Sequence, residues 1–296
     1  MWLIAFHTHL VPTHTTTSRG AKCGSVRPFT GAAILYYPLK AMLLVVDIGN
    51  THTAFGLFDG ENLRFDWRIE TRSERTADEQ AAIFRGLFEL ENLDMHQVSA
   101  AIISSVVPPA TLPMERLFSR YFKLTPLVVG PGMKTGMPVL YENPRDLGAD
   151  RIVNAVAAYA RWPQGAIVVD FGTATTLDVV TGRGEYAGGI ITPGLLISAD
   201  ALYRATAKLP RVEIARPKAV VGTNTVASIQ SGLVFGYAGM IDSLVNRIRA
   251  EVAYAPKVVA TGGLGALVAR ESSTIEEYDE FITLRGLKIL YDRNRG

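Results

Sequence analysis

The feature that most constrains the fold of this chain is a short motif that occurs twice, each time after an aliphatic run. Residues 47–53 and residues 170–176 both read Asp-x-Gly-x-x-x-Thr, and each motif continues into further strand-like sequence. This pattern predicts a hairpin that bends around a phosphate group, with a carboxylate at the end of its first strand. Two copies in a chain of 296 residues predict two related halves that face each other across a nucleotide-binding cleft.

Strands and helices are predicted to alternate along the rest of the chain. Thr76 and Glu79 form a capping-box pattern, which marks the start of a helix, and apolar residues recur at helical spacing in several stretches. The predicted strands cover residues 43–48, 54–58, 63–69, 100–107, 127–129, 166–170, 177–180 and 257–260, and the predicted helices cover 77–90, 149–161, 195–207 and 226–250. This alternation predicts an α/β fold with two similar lobes, residues 42–161 and residues 162–296.

Residues 1–41 differ from the rest of the chain in charge. They contain basic but no acidic residues, so the remainder carries a small acidic excess although the whole chain has a net charge of +2. This balance gives no basic surface for nucleic acid, and no apolar run approaches the ~20 residues that span a bilayer. The sole cysteine, Cys23, leaves the remainder without a disulfide framework, which favours a cytoplasmic protein. We expect residues 1–41 to be a disordered extension or a mis-assigned start rather than a targeting segment.

The aspartate of the first motif is the first candidate for chemistry. Asp and Gly are common turn residues, but Gly49 also allows an anion to approach closely, and Asn50 and Thr51 add donors without a competing negative charge. Such a loop binds phosphate through its N–H groups, while the neighbouring carboxylate of Asp47 holds Mg²⁺ directly or through water. His52 is interpreted as a turn residue rather than a general base.

Asp150 and Arg151 stand at the start of the helix predicted over 149–161 and have two interpretations. They form an ion pair at a helix start, where an aspartate is stabilised by the positive end of the helix. Alternatively, Asp150 accepts the proton of a substrate hydroxyl during phosphoryl transfer. The residues alone do not separate these interpretations. The planar guanidinium of Arg151 is suited to bidentate binding of a carboxylate.

Several segments together carry a resemblance to a known family. Besides the two copies of the repeated motif, Gly262-Gly263-Leu264-Gly265 is expected to form a third loop that passes beside an adenosine. In order and form, these loops resemble the acetate/sugar kinase and actin superfamily, and within it the chain from Met42 onward resembles type III pantothenate kinases. The segments are Asp47-Ile48-Gly49-Asn50-Thr51, Gly148-Ala149-Asp150-Arg151, Asp170-Phe171-Gly172-Thr173-Ala174-Thr175, Gly188-Gly189-Ile190-Ile191-Thr192-Pro193-Gly194 and Gly222-Thr223-Asn224-Thr225.

The resemblance implies an actin-like or ribonuclease H-like fold and ATP-dependent phosphorylation of pantothenate, the first step of coenzyme A biosynthesis. Asp150 would be the proton acceptor, and Asp170 would bind a monovalent cation, K⁺ or NH₄⁺. The residues that would bind ATP are Asp47, Ile48, Gly49, Asn50, Thr51, His52, Thr53, Ala54 and Thr173. The residues that would bind pantothenate are Tyr141, Gly148, Ala149, Asp150, Arg151 and Thr225.

The resemblance also implies a homodimer. The helix predicted over 226–250 contains three interior glycines, which would let another helix approach closely, within the fold or across a dimer. No nucleic-acid or membrane partner is expected. Two rival functions are another small-molecule kinase of the same superfamily and a nucleotide-binding regulator without kinase activity.

Overall fold

The computed structural model describes residues 41–295, so the expectation for residues 1–41 lies outside the described residues except at Ala41. The strands are β1 (Met42–Ile48), β2 (His52–Asp59), β3 (Asn62–Glu70), β4 (Val98–Ser105), β5 (Leu127–Val128), β6 (Ala166–Phe171), β7 (Ala174–Val180), β8 (Tyr186–Pro193), β9 (Lys257–Thr261) and β10 (Glu277–Tyr278). The helices are α1 (Ala77–Leu90), α2 (Pro108–Leu117), α3 (Ala149–Arg161), α4 (Leu195–Arg204), α5 (Thr225–Glu251), α6 (Gly265–Ala269) and α7 (Ile282–Asn294). In this part of the chain, none of the helices has the length and apolar character needed to cross a membrane.

The two sheets have the same topology, which confirms the duplication predicted from the repeated motif. In the first sheet, the order is β3-β2-β1-β4-β5, with β1 antiparallel to β2 and parallel to β4. In the second sheet, the order is β8-β7-β6-β9-β10, with β6 antiparallel to β7 and parallel to β9. The first strand of each half is therefore the central strand of its sheet, and the repeated motif forms the turn that follows it.

Side chains of the two central strands alternate between two buried layers, because successive residues of a strand point to opposite faces. In β1, residues 44, 46 and 48 pack beneath α1 and α2, whereas residues 43 and 45 pack against α3 and α7. In β6, residues 167, 169 and 171 pack beneath α5, whereas residues 166 and 168 pack against α3. By this alternation, Asp47 and Asp170 lie on the two sheet faces that are turned toward α3.

Helices α3 and α7 form the layer between the two sheets. They pack on each other, and Gly286 makes the contact possible because a side chain there would lie 2.2 Å from the carbonyl oxygen of Val153. Helix α3 follows the first sheet in sequence but also packs on β6 and β7, whereas α7 follows the second sheet but packs on β1 and β4. Each half thus lends a helix to the sheet of the other half, and the division of the lobes at residue 161 stays a proposal.

Most predicted elements are confirmed, and the helices 77–90 and 149–161 have the predicted bounds. The capping box is also present, since the Thr76 hydroxyl accepts from the Glu79 N–H and the Glu79 carboxylate accepts from the Thr76 N–H. The sequence predicts no strand over 187–193, which is wrong, because both glycines of Gly188-Gly189 pair with β7 inside strand β8. Helix α4 ends at Arg204 rather than at residue 207, and neither β10 nor α7 is predicted.

Candidate active site

The turns of the two repeated motifs contact each other. The hydroxyl oxygens of Thr51 and Thr173 lie 2.7 Å apart, so a hydrogen bond joins the turn after β1 to the turn after β6. Within the first turn, the N–H of Gly49 donates to the carbonyl oxygen of His52 at 3.0 Å. The two turns therefore face each other, as the repetition predicts, and their threonine hydroxyls are in contact.

The predicted ATP-binding residues of the first loop divide into two groups by exposure. Ile48 and Thr53 are buried, and the Thr53 hydroxyl is hydrogen-bonded to that of Thr71 at 2.8 Å, so these side chains support the loop from beneath. The side chains of Asn50, Thr51 and His52 are exposed. These exposed residues and the backbone of the turn are the groups that a nucleotide can reach, while Ala54 and Asp47 are half-buried behind them.

Glycines set the close approach of the other loops to the second turn. A Cβ at Gly194 would lie 2.3 Å from the carbonyl oxygen of Thr173, which explains a glycine between β8 and α4. Gly262 has a φ of +88°, and a Cβ there would lie 2.6 Å from the carbonyl oxygen of Phe171 and 2.7 Å from Asp170 Oδ1. The predicted third loop therefore packs directly on the second motif, and only a glycine fits at position 262.

Three carboxylates share this region, those of Asp47, Asp150 and Asp170. Burial and the negative charge of Asp150 raise the pKa of Asp47 to about 7. Burial and the charges of Asp150 and Asp178 raise the pKa of Asp170 to about 7 as well. Burial also raises the pKa of Asp150, although the N–H of the next residue donates to its Oδ1 at 2.8 Å. Grouped carboxylates with raised pKa values favour a bound cation or a proton.

Asp150 lies in the first turn of α3. Gly148 is the residue before the helix, and a Cβ there would lie 2.6 Å from Asp150 Oδ1, so the glycine leaves space for the carboxylate. Gly148 and Ala149 are themselves half-buried. The half-buried carboxylate of Asp150 acts on the pKa of both Asp47 and Asp170, so the structure brings the predicted proton acceptor together with both motif aspartates.

The carboxylate of Asp170 is held by a short chain of hydrogen bonds from the middle layer. Asn154 of α3 donates through Nδ2 to Asp170 Oδ2 at 3.1 Å. The hydroxyl of Thr283 in α7 donates in turn to Asn154 Oδ1 at 2.7 Å, which fixes the orientation of the amide. Both interior helices therefore help to orient the predicted cation ligand.

Arg151 is buried rather than exposed to solvent. Its Nε donates to Asp178 Oδ1 at 2.6 Å, and the side chain of Asp178 is fully buried. The hydroxyl of Tyr186 donates to the same oxygen at 2.7 Å, and the ring of Tyr141 packs edge-on against the Tyr186 ring with a centroid distance of 6.0 Å. Two predicted pantothenate-binding residues, Tyr141 and Arg151, thus belong to one cluster.

Thr225 is the predicted pantothenate-binding residue that lines a cavity at the start of α5. It is exposed at the first turn of α5, where Asn224 caps the helix by accepting from the Ala227 N–H at 2.9 Å. It lines a cavity of about 620 Å³ with residues of the α4–α5 segment such as Leu202 and Ile229, and Tyr141 and residues 148–151 do not line that cavity.

The first turn offers one carboxylate beside exposed donors. Among residues 41–295, no group of three or more His, Cys, Asp or Glu side chains could hold a metal ion. Mg²⁺ is commonly bound by one or two carboxylates together with substrate phosphates, and Asp47 offers one such carboxylate beside exposed donors.

Sequence reasoning misses four residues of this region. Asn154 and Asp178 lie in elements that are recognised only as helix or strand, and Tyr186 lies in β8, which is not predicted. The aspartate inside the apolar run Leu177–Val180 is itself an unused signal. Arg68 is exposed on β3. Its positive charge lowers the pKa values of Asp47 and Asp170, whereas burial and the other carboxylates raise them. A side chain at Gly263 would lie 3.3 Å from Arg68 Nη1, so this guanidinium reaches the third loop.

Comparison with known proteins gives a family for this arrangement. The family model described as type III pantothenate kinase matches residues 43–247. Type III pantothenate kinase from Anaeromyxobacter sp. (strain Fw109-5) is 58% identical over 254 residues, covering 86% of this chain and 100% of the relative. The proteins of the same name from Geobacter sulfurreducens and Myxococcus xanthus are 56% and 54% identical, again with 86% and 100% coverage.

Solved structures support the same fold. A conserved putative Baf family transcriptional activator from Campylobacter jejuni superposes with a TM-score of 0.53 at 20% identity, covering 85% of this chain and 98% of that one. A putative 2-dehydro-3-deoxygalactonokinase from Sinorhizobium meliloti superposes with a TM-score of 0.50 at 14% identity, covering 86% and 97%. At these identities the likeness concerns the fold alone.

Proposed function

We propose that Asp150 is the proton acceptor of a kinase reaction, since the chain belongs to the type III pantothenate kinase family. The reaction of this family is the phosphorylation of pantothenate with ATP in coenzyme A biosynthesis. The observation that carries the proposal is the position of Asp150, in the first turn of α3 and within electrostatic reach of both motif aspartates. Membership in a kinase family implies ATP as the phosphoryl donor and a divalent metal ion.

The proposed reaction is a direct transfer between two oxygens. The oxygen of the primary hydroxyl of pantothenate forms a bond to the γ-phosphorus of ATP, and the bond from that phosphorus to the bridging oxygen breaks, which releases ADP. The hydroxyl proton passes to the carboxylate of Asp150. Because the transition state of phosphoryl transfer is loose, the base is needed late, and positioning of the two oxygens supplies much of the rate.

We assign the triphosphate of ATP to the two contacting turns. The loop from Gly49 to His52, exposed from Asn50 onward, and the hydroxyl of Thr173 offer donors to phosphate oxygens. The Thr51–Thr173 contact at 2.7 Å supports a common site for both. A divalent metal ion held by Asp47 would supply positive charge that neutralises the phosphates. The half-buried carboxylate would orient that ion directly or through water.

We assign a monovalent cation, K⁺ or NH₄⁺, to Asp170. The support is its carboxylate, whose pKa burial and neighbouring charges raise to about 7, together with the Asn154 amide that orients it. A cation there would lower the repulsion between three carboxylates and the incoming phosphates. Pantothenate is assigned to Tyr141, residues 148–151 and Thr225.

We also propose a homodimer that forms through α5. Gly232, Gly236 and Gly239 are exposed, and a Cβ at any of them would contact no other atom of the described residues within 4 Å. The helix that compensates for these glycines is therefore not found in the described chain. In addition, most exposed large apolar side chains of the described residues lie between residues 191 and 226, next to this helix.

Light scattering after size-exclusion chromatography tests the dimer. The wild-type mass should be twice the 32.1 kDa of one chain. Gly236→Arg removes a helix-interior glycine, which favours the monomer fold, but places a charge in the interface and should halve the mass. Gly86→Arg is the matched control, because Gly86 of α1 also has free space around its Cα. A monomeric wild type, or a dimeric Gly236→Arg protein, would contradict the assignment.

A panel of acceptors tests the substrate. Pantothenate should be phosphorylated with ATP, and sugars and other hydroxy acids should not. The protein should be assayed with Mg²⁺ and K⁺ present, and turnover of a sugar in preference to pantothenate would favour the rival small-molecule kinase. We place the enzyme in the cytoplasm, which cell fractionation tests.

A further inference from the structure

A buried charged cluster joins the start of α3 to the second sheet. It consists of Arg151 in α3, Asp178 and Thr176 in β7, and Tyr186 in β8. Asp178 and Tyr186 are fully buried and Arg151 is 7% exposed. The reaction proposed above uses Arg151 but gives no role to the other three residues.

Three donors of the cluster converge on the carboxylate of Asp178. Arg151 Nε and the Tyr186 hydroxyl donate to Oδ1 at 2.6 and 2.7 Å, and the Thr176 hydroxyl donates to Oδ2 at 3.2 Å. The guanidinium also lies 5.9 Å from the centroid of the Tyr186 ring. The position of the guanidinium is therefore set by one carboxylate, and that carboxylate is set by two hydroxyls.

The space for this guanidinium is also built by the second sheet. A Cβ at Gly189 would lie 2.6 Å from Arg151 Nη2 and 2.2 Å from the carbonyl oxygen of Leu177. Nη2 is buried and has no hydrogen-bond partner among the described residues. Arg151 thus retains an unused donor in a position that β7 and β8 determine.

A role in stability alone does not account for the buried ion pair between Arg151 and Asp178. Buried ion pairs contribute little net stability compared with apolar residues of the same volume, because both charges must lose their hydration. The first turn of a helix is also an unfavourable place for a cation, since the helix dipole is positive there. Arg151 stands at the third position of α3, so holding it there costs free energy that Asp178 only offsets.

We propose that Asp178 and Tyr186 are positioning residues of the pantothenate site, which hold Arg151 and the ring of Tyr141 in the arrangement that binds the acceptor. The proposal rests on the assignment of pantothenate to Tyr141 and Arg151 made above. It deepens that assignment by placing the support of the acceptor site in the second half of the chain. Substrate affinity then depends on a hydroxyl that does not itself contact the substrate.

Tyr186→Phe is the main test, because it removes one hydrogen bond to Asp178 and keeps the ring. Hydrogen bonds to a charged group are strong enough that the KM for pantothenate should rise about 10-fold, while the KM for ATP stays within about twofold. Calorimetric titration with pantothenate in the absence of ATP should show the same loss of affinity. Thr176→Val removes the weaker donor and should raise the pantothenate KM by about threefold, which keeps the test available if Tyr186→Phe does not fold.

Tyr254→Phe is the matched control. The Tyr254 hydroxyl donates to the carbonyl oxygen of Val180, also in β7, at 3.2 Å. This variant loses a tyrosine hydrogen bond to the same strand without touching Asp178. It should bind pantothenate like the wild-type protein.

The double variant with Arg151→Gln separates a positioning role from a general structural one. If Tyr186 acts through Arg151, then Tyr186→Phe should have little further effect on pantothenate affinity once Arg151 is replaced. Unchanged pantothenate affinity in Tyr186→Phe and Thr176→Val, additive losses in the double variant, or equal losses for ATP and pantothenate would overturn the proposal. If Arg151→Gln alone left pantothenate affinity unchanged, the assignment of the acceptor site would fail together with it.

Discussion

Replacement of Asp170 by asparagine should make the ligand-free protein more stable at pH 8 while it removes the response to K⁺. The native carboxylate is disfavoured as an anion, because burial and the charges of Asp150 and Asp178 raise its pKa from 3.8 to about 7. Asparagine has the same shape and can still accept the hydrogen bond that Asn154 donates. The substitution therefore removes a charge without removing a contact.

The gain in the free energy of unfolding follows from the pKa of Asp170 in the unfolded and the folded state. At ~1.36 kcal/mol per pKa unit, the difference between 3.8 and about 7 sets an upper limit of about 4 kcal/mol on the cost of the charge. Because the side chain is half-buried rather than sealed from water, we expect a gain of about 1–2 kcal/mol. For a chain of this size, that gain corresponds to a rise in Tm of about 2–4 °C.

The destabilisation that Asp170 causes should grow as the pH rises. Below pH 3.8, Asp170 is protonated in both the folded and the unfolded state and costs nothing. Between pH 3.8 and about 7, the unfolded state ionises and the folded state does not, so the cost grows as the pH rises. Above that range both states are ionised and the cost is constant. The advantage of Asp170→Asn at pH 5 should be about a third of its value at pH 8.

Thermal unfolding in a tetramethylammonium buffer, which contains no small monovalent cation, measures this effect. Added K⁺ should raise the Tm of the wild-type protein and leave that of Asp170→Asn unchanged. Asp66→Asn is the control, because Asp66 is an exposed carboxylate of β3 and its replacement should not change the Tm. A variant that is less stable than the wild type at pH 8, or a gain that is equal at pH 5 and pH 8, would refute the reasoning.

Three further predictions concern the nucleotide loops, the base and the fold. Thr51→Val and Thr173→Val should each raise the KM for ATP by about 5- to 10-fold, because the two hydroxyls meet at 2.7 Å in the proposed phosphate site. The KM for pantothenate should change little. Steady-state kinetics with each substrate varied in turn measures both values. The kcat/KM for pantothenate should fall as the pH decreases, because protonated Asp150 cannot accept a proton. Burial raises the pKa of Asp150, so the decrease in kcat/KM should begin above the usual pH range of a carboxyl group. A kcat/KM that does not change between pH 8 and pH 4 would count against Asp150 as the proton acceptor. Asp242→Asn should lower the Tm at pH 7, because hydrogen bonds from Ser272, Ser273 and Thr274 outweigh burial and lower the Asp242 pKa to about 2. This stabilisation is present above the unfolded value of about 4 and is lost as the pH falls toward about 2, so melting curves of the two proteins should converge over that interval.

The duplicated architecture could be predicted from the sequence because its signals are local. Each Asp-x-Gly-x-x-x-Thr motif includes its own strand end and turn, and the first turn of α3 is readable from Gly148 to Arg151. The contact between Thr51 and Thr173 joins residues 122 positions apart, yet the repetition alone indicates that the two turns face each other. Local motifs therefore predicted the two turns and their contact.

The support of the site could not be predicted, because it depends on which helix packs on which sheet. Asn154 is oriented by Thr283, 129 positions away, and no motif marks either residue. Arg151 meets Asp178 only because α3 packs on the second sheet, and Tyr186 reaches the same carboxylate only because β7 pairs with β8. The strand β8 itself is missed, since its two glycines resemble a turn when their pairing partners are unknown.

The central claim is that Asp150 accepts the proton of the pantothenate hydroxyl. The most direct test is the rate of pantothenate-dependent ADP release by Asp150→Asn, with ATP, Mg²⁺ and K⁺ present, beside calorimetric titration of ATP. Asp150→Asn should lose about 10²–10⁴-fold in turnover while its ATP affinity stays within about twofold of the wild type. Turnover that survives the substitution would contradict the central claim.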